Sequence, residues 1–132
     1  KSLVLKNFTD FIDLADRWVM FSEPKIAEII LDGPGQVKAG DEAVFDSIVN
    51  LKGKDQAYLN ADIRQVKYIL YDTTGAVVSI GEAVSVGDGL YQVTLDSAST
   101  SKLQTGTAKL EVAVVPITVA IPAFTTFDFV VQ

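Results

Sequence analysis

The chain has 132 residues, 48% of them hydrophobic, with no cysteine, no histidine and a formal net charge of −6. That length holds one domain with room for an appendage, and its apolar share can fill a core that needs no disulfide or metal staple. The composition excludes a disulfide framework, thiolate chemistry and a Ser-His-Asp triad, and with basic residues only scattered singly it offers no stripe for nucleic acid.

Residues 1–24 differ in character from the rest. Leu3-Val4-Leu5 is a short apolar run, and Thr9–Phe21 then carries Phe11, Leu14, Ala15, Trp18 and Phe21 at helical spacing on one face. Thr9 suits an N-cap, Asp10 and Asp13 suit the first turn, and Pro24 ends the element. The expectation is a short helical or extended appendage packed on the domain that follows. The start at Lys1, without an initiator Met or a leader, is that expected of a piece of a longer chain.

From Lys25 the pattern changes to period two. Segments rich in β-branched and aromatic residues occur at Ile26–Leu31, Ala43–Leu51, Val66–Tyr71, Ala76–Ile80, Leu90–Leu95, Lys109–Val115 and Thr126–Val131. Turn sequences separate them: Asp32-Gly-Pro-Gly, Lys38-Ala-Gly-Asp, Asp72-Thr-Thr-Gly and Gly87-Asp-Gly. In Ala43–Leu51 the alternation predicts Val44, Ile48 and either Phe45 or Val49 inward. The apolar run Val112–Phe124 is broken by Pro116 and Pro122, so it predicts two strands joined at a bend and no membrane span. Short strands at this spacing predict an all-β sandwich of seven to eight strands over residues 25–132.

Candidate chemistry is sparse. No serine has a histidine to activate it, and no lysine stands at a recognisable spacing from a serine. The carboxylates Asp32, Asp41, Glu42 and Asp46, and the pair Asp55 and Asp62, fall at turns or alternating positions where solvated acids are normal. Asp72 and Asp88 each bring one carboxylate to a turn, whereas calcium takes six or more oxygens. No enzyme activity, metal or other cofactor is expected, and a chelator is expected to leave the melting temperature unchanged. Tyr58, Tyr68, Tyr71 and Tyr91 could stack on sugars, although core packing accounts for them better. The loop Gly53–Ile63 is the longest turn-like stretch between strong strands, so Tyr58 and Leu59 are the candidate partner contacts, set against an ordinary crossover between sheets.

One resemblance goes further. Leu3-Val4-Leu5-Lys6-Asn7-Phe8, Asp13-Leu14-Ala15-Asp16-Arg17-Trp18 and Ser22-Glu23-Pro24 resemble the C-terminal end of an extracellular solute-binding protein of the peptide/oligopeptide/nickel class that serves ABC transporters. Gly33–Gly40, Val66–Gly75, Gly87–Leu95 and Ile121-Pro122-Ala123-Phe124 are similar to the immunoglobulin-like sandwich that some members append. The resemblance implies that residues 1–24 are the tail of the preceding binding lobe and linker, and that 25–132 form a non-catalytic accessory domain. Its role would be spacing, docking or stabilising the receptor in solute import, most naturally of peptides. Its partners would be the solute-binding lobes of the same polypeptide and a membrane permease or cell-surface components. Its place would be extracellular or periplasmic, on a membrane-anchored parent. The family's ligand contacts lie in the upstream lobes, so none transfers to this sequence. Two other readings stand beside it: a cell-surface adhesive or structural immunoglobulin-like module, and an accessory domain of a secreted carbohydrate enzyme. The last predicts polysaccharide binding that is lost when Tyr58, Tyr71 or Tyr91 is replaced by Ala.

Overall fold

The computed structural model of the protein describes residues 26–117 and 122–132. The expected appendage, residues 1–24, lies outside them. Nine strands follow in chain order: β1 (Ala27–Asp32), β2 (Gln36–Val37), β3 (Ala43–Leu51), β4 (Ile63–Tyr71), β5 (Val77–Glu82), β6 (Val84–Gly87), β7 (Leu90–Leu95), β8 (Gly106–Pro116) and β9 (Ala123–Val131). A short helix, α1 (Ser97–Thr100), connects β7 to β8, and a 3-10 turn at Asn60–Asp62 leads into β4.

The strands form two sheets, one ordered β1-β3-β7-β6 and the other β2-β9-β8-β4-β5. Every pairing is antiparallel except that of β2 with β9. With β1 as strand A, this is the A-B-E-D sheet facing an A′-G-F-C-C′ sheet, the strand order of an immunoglobulin-like sandwich. The expected fold class holds. The strand total exceeds the expected seven to eight because β2, two residues long, and β6, four residues long, are too short to show a period. The two strands predicted across Val112–Phe124 are the end of β8 and the start of β9, which pair antiparallel.

The core lies between the sheets. Phe45 packs against Phe127 and Phe129, at ring-centroid distances of 5.6 and 5.3 Å, amid Val49, Leu70, Val93, Leu110, Val112 and Val131, all fully buried. The inward set on β3 corrects the expectation from its sequence. Ala43, Phe45, Ser47 and Val49 point into the core, while Val44 is 41% exposed and Ile48 is half-buried on the outer face. Both faces of β3 carry branched apolar residues, so the pattern could be set in either register. Phe45 decides it, because its ring buries the largest apolar area of the segment.

The connection from β7 to β8 is fixed by polar contacts. Asp96 caps α1 by accepting a hydrogen bond from the Ser99 amide at 2.8 Å. The hydroxyl of Thr100, fully buried, donates to the Asp41 carbonyl at 2.8 Å and accepts from the Gly40 amide at 3.1 Å. The corner is thereby tied to the turn before β3. A helix of four residues gives no apolar periodicity, and the sequence had not disclosed it.

Candidate functional site

The outer face of the five-stranded sheet carries a groove of about 480 Å³ at the end where β4 turns into β5. Its floor follows from strand register. On β8, Thr107, Lys109 and Glu111 alternate outward against the buried Ala108, Leu110 and Val112. Across the ladders Lys109 lies between Tyr71 of β4 and Asp128 of β9, and Glu111 lies between Ile69 and Thr126. The turn Asp72–Gly75 forms the rim.

Two acids give the groove a fixed shape. The Tyr71 hydroxyl donates to Oε1 of Glu111 at 2.9 Å. That bond to the carboxylate, helped by partial burial and by the Glu111 charge, pushes the phenol of Tyr71 above its ordinary range. Asp72 is buried at the root of the rim, and its Oδ1 accepts from the amides of Thr73 at 2.7 Å and Gln104 at 3.0 Å. These backbone donors hold its carboxyl below the usual range, against the opposing effect of burial. Asp72 therefore binds the β4–β5 turn, which borders the groove, to the segment entering β8.

The residues singled out from the sequence are distributed differently. Tyr58 is in the core at 1% exposure, so of the two contacts expected in the Gly53–Ile63 loop only Leu59, at 53%, is presented to solvent. Burial, and then the charge of Asp62, raise the Tyr58 phenol. The loop itself crosses from β3 in one sheet to β4 in the other. Tyr91 is also buried, and Tyr68 lies half-buried with its ring over Gly81. Of the four tyrosines, Tyr71 alone lines the groove. Asp32 and Asp46 come to stand opposite each other on the outer face of the four-stranded sheet, while Asp41 and Glu42 sit exposed in the turn before β3. Among the described residues no group of three or more His, Cys, Asp or Glu could hold a metal ion, and no helix is long and apolar enough to cross a membrane.

The groove went unseen in the sequence because its parts come from distant strands. Its one local trace is the run of polar residues at period two, Thr107-Lys109-Glu111 and Thr126-Asp128, on strands whose other positions, Thr125 apart, are apolar.

No protein-family model matches the chain, and no curated protein matches it. Among solved structures 56 chains match. One is a "putative superoxide reductase" from Thermotoga maritima, with a TM-score of 0.52 and 11% identity over 79% of this chain and 85% of that one. Similarity at that identity establishes the sandwich fold. One-electron chemistry requires a metal or cofactor, and the imidazole and thiolate ligands on which redox iron and copper sites draw are missing here, because the chain has neither histidine nor cysteine. The donor set does not fit such a centre.

The same findings correct the expected family. The sandwich matches a protein of a different description, and no family model supports membership of the solute-binding class. The motifs read as the end of a binding lobe lie outside the described residues, and the segments read as its appended domain are strands and turns common to such sandwiches. A role in ABC-transporter solute import is withdrawn with the family.

Proposed function

We propose that this sandwich is a non-catalytic binding module and that its ligand site is the groove on the outer face of the five-stranded sheet. The observation that carries this reading is the geometry around Tyr71. A half-buried ring is locked to Glu111 in a concavity of about 480 Å³, within the range of about 300–1,000 Å³ typical of ligand sites. Strands β4, β8 and β9 supply the floor, so the polar groups are displayed on the most extensively paired part of the fold. Such a face holds side chains in place before a ligand arrives, which lowers the ordering cost of binding. The chain also has no histidine or cysteine to serve as a base or soft nucleophile.

Amide-resolved NMR of the full chain against a panel of small polar compounds tests the reading. Binding should move the resonances of Tyr71–Gly75, Thr107–Glu111 and Thr126–Asp128 together. Shifts confined to other surfaces, or chemical turnover of the bound compound, would overturn it.

A further inference from the structure

We infer that the ligand of this groove is a neutral carbohydrate, a conclusion that rests on the reading of the groove as a binding site. The lining excludes other classes in turn. Three carboxylates, Asp72, Glu111 and Asp128, face a single ammonium, Lys109, so a phosphate, sulfate or uronate would meet net repulsion on a chain whose overall charge is already −6. A cation finds fewer free acceptors than this number suggests. Asp72 is engaged by two backbone amides, one oxygen of Glu111 accepts from Tyr71, and among the described residues no group of three or more His, Cys, Asp or Glu could hold a metal ion. An apolar ligand finds no exposed aliphatic side chain among the lining residues.

What remains is the second oxygen of Glu111, the carboxylate of Asp128, the ammonium of Lys109 and the hydroxyl of Thr126, set beside an aromatic ring. Sugar hydroxyls both donate and accept, so a carboxylate, an ammonium and a hydroxyl at strand spacing suit adjacent hydroxyls on a ring. The apolar face of a pyranose can lie on the Tyr71 ring, whose tilt is fixed by its bond to Glu111. Outward positions on β8 recur about every 6.7 Å and adjacent strands lie about 4.8 Å apart. The groove is therefore long enough for a short oligosaccharide.

The experiment titrates the full chain with three probes: a panel of neutral hexasaccharides of different linkage, an oligogalacturonate, and hexalysine. Binding is followed by NMR and calorimetry. The expected result is saturable binding of a neutral hexasaccharide that shifts the Tyr71, Lys109 and Glu111 amides and changes little with salt. Tyr71→Ala should weaken it about tenfold or more, and Tyr71→Phe, which keeps the ring but loses its bond to Glu111, should weaken it less. Glu111→Gln serves as the second variant should Tyr71→Ala fail to fold, and it should weaken binding by lowering the acceptor strength at the hydroxyls. Groove shifts with hexalysine or the acidic oligomer but with no neutral sugar would overturn the carbohydrate inference and leave the binding site standing. Silence of the groove towards all three probes would overturn both.

Discussion

The two ends of the sandwich are pinned by the same device with different chemistry. At the end where β3 crosses to β4, the side-chain amide of Asn60 donates to the Gly87 carbonyl and to Ser85 Oγ, both at 2.8 Å, and accepts from the Gly89 amide at 3.0 Å. At the opposite end, Asp72 gathers the amides of Thr73 and Gln104 on one carboxylate oxygen. A neutral amide satisfies donors and acceptors at any pH, whereas a carboxylate accepts most strongly while ionised and weakens as an acceptor on protonation. The end that carries the groove is therefore the one whose stability should vary with pH, and the other serves as a permanent fastening.

The permanent end has the least tolerance. Gly89 sits at φ +69°, and a Cβ placed there would lie 2.6 Å from the Val49 carbonyl oxygen and 3.2 Å from that of Tyr58. Gly89→Ala thus combines a left-handed backbone penalty with a backbone collision. The expected loss is roughly 3 kcal/mol or more, read from the urea midpoint. A loss below about 1 kcal/mol would mean that the β6–β7 turn can shift away and that this end is not fastened as described.

Asn60→Ala should follow, at about 2 kcal/mol, for the loss of three hydrogen bonds from a half-buried side chain. Asn60→Asp is the sharper variant. It keeps the acceptor for Gly89 and sets an ionised oxygen against the Gly87 carbonyl, with Asp88 close by. Its folded-state pKa should rise, so the stability it retains would be present in acid and lost as pH increases through that value. The permanent end would then acquire pH dependence of the opposite sign to the other. A pH-independent deficit would show that Asn60 does not fasten this end through the Gly87 carbonyl.

How much of this the sequence disclosed depends on the range of the interaction. Turns such as Asp72–Gly75 and Asp88-Gly89 announce themselves locally, because backbone geometry selects their residues, and with them the sandwich could be read. Facing was less legible. On β3 both alternating sets mix apolar and polar residues, and an unpartnered Ser47 lies inside while Val44 and Ile48 lie outside. Tyr58 and Leu59 are adjacent in a loop, and only the fold decides that the ring goes to the core. The groove was the least legible part. Tyr71 and Glu111 are forty residues apart, and nothing local to either names the other.

Asp72→Asn tests the pH-dependent end and should cost less than Asn60→Ala. In the parent protein the folded-state pKa of Asp72 is depressed, so its contribution is complete above the ordinary carboxylate value of about 3.9 and fades as pH falls below it. Asn accepts the same two amides more weakly and cannot titrate. The variant should be less stable at neutral pH, with the gap to the parent closing in acid. Asp96, whose pKa is lowered chiefly by its bonds with Ser99, leaves some acid sensitivity in both. Above about pH 10 the sign reverses. The raised phenols of Tyr58, Tyr71 and Tyr91 contribute stability below that value and lose it as pH rises through their folded-state pKa values. Urea midpoints of both proteins across pH check this, and a gap that stays constant in acid would show that Asp72 is not the source of the dependence.

The smallest effect is expected midway between the ends. Ser47 Oγ is fully buried on β3 with no hydrogen-bond partner. A desolvated hydroxyl that gains nothing in return costs free energy, so Ser47→Ala removes a penalty while leaving a void of about one oxygen atom. The two terms oppose each other, and the net change should be neutral to stabilising by up to about 1 kcal/mol. The acid and alkaline limbs should keep their shape, because no titrating group is touched at either end. A destabilisation of more than about 1 kcal/mol would show that the hydroxyl has a partner inside the core, and a changed acid limb would show that the core alters the acid response of Asp72 and Asp96.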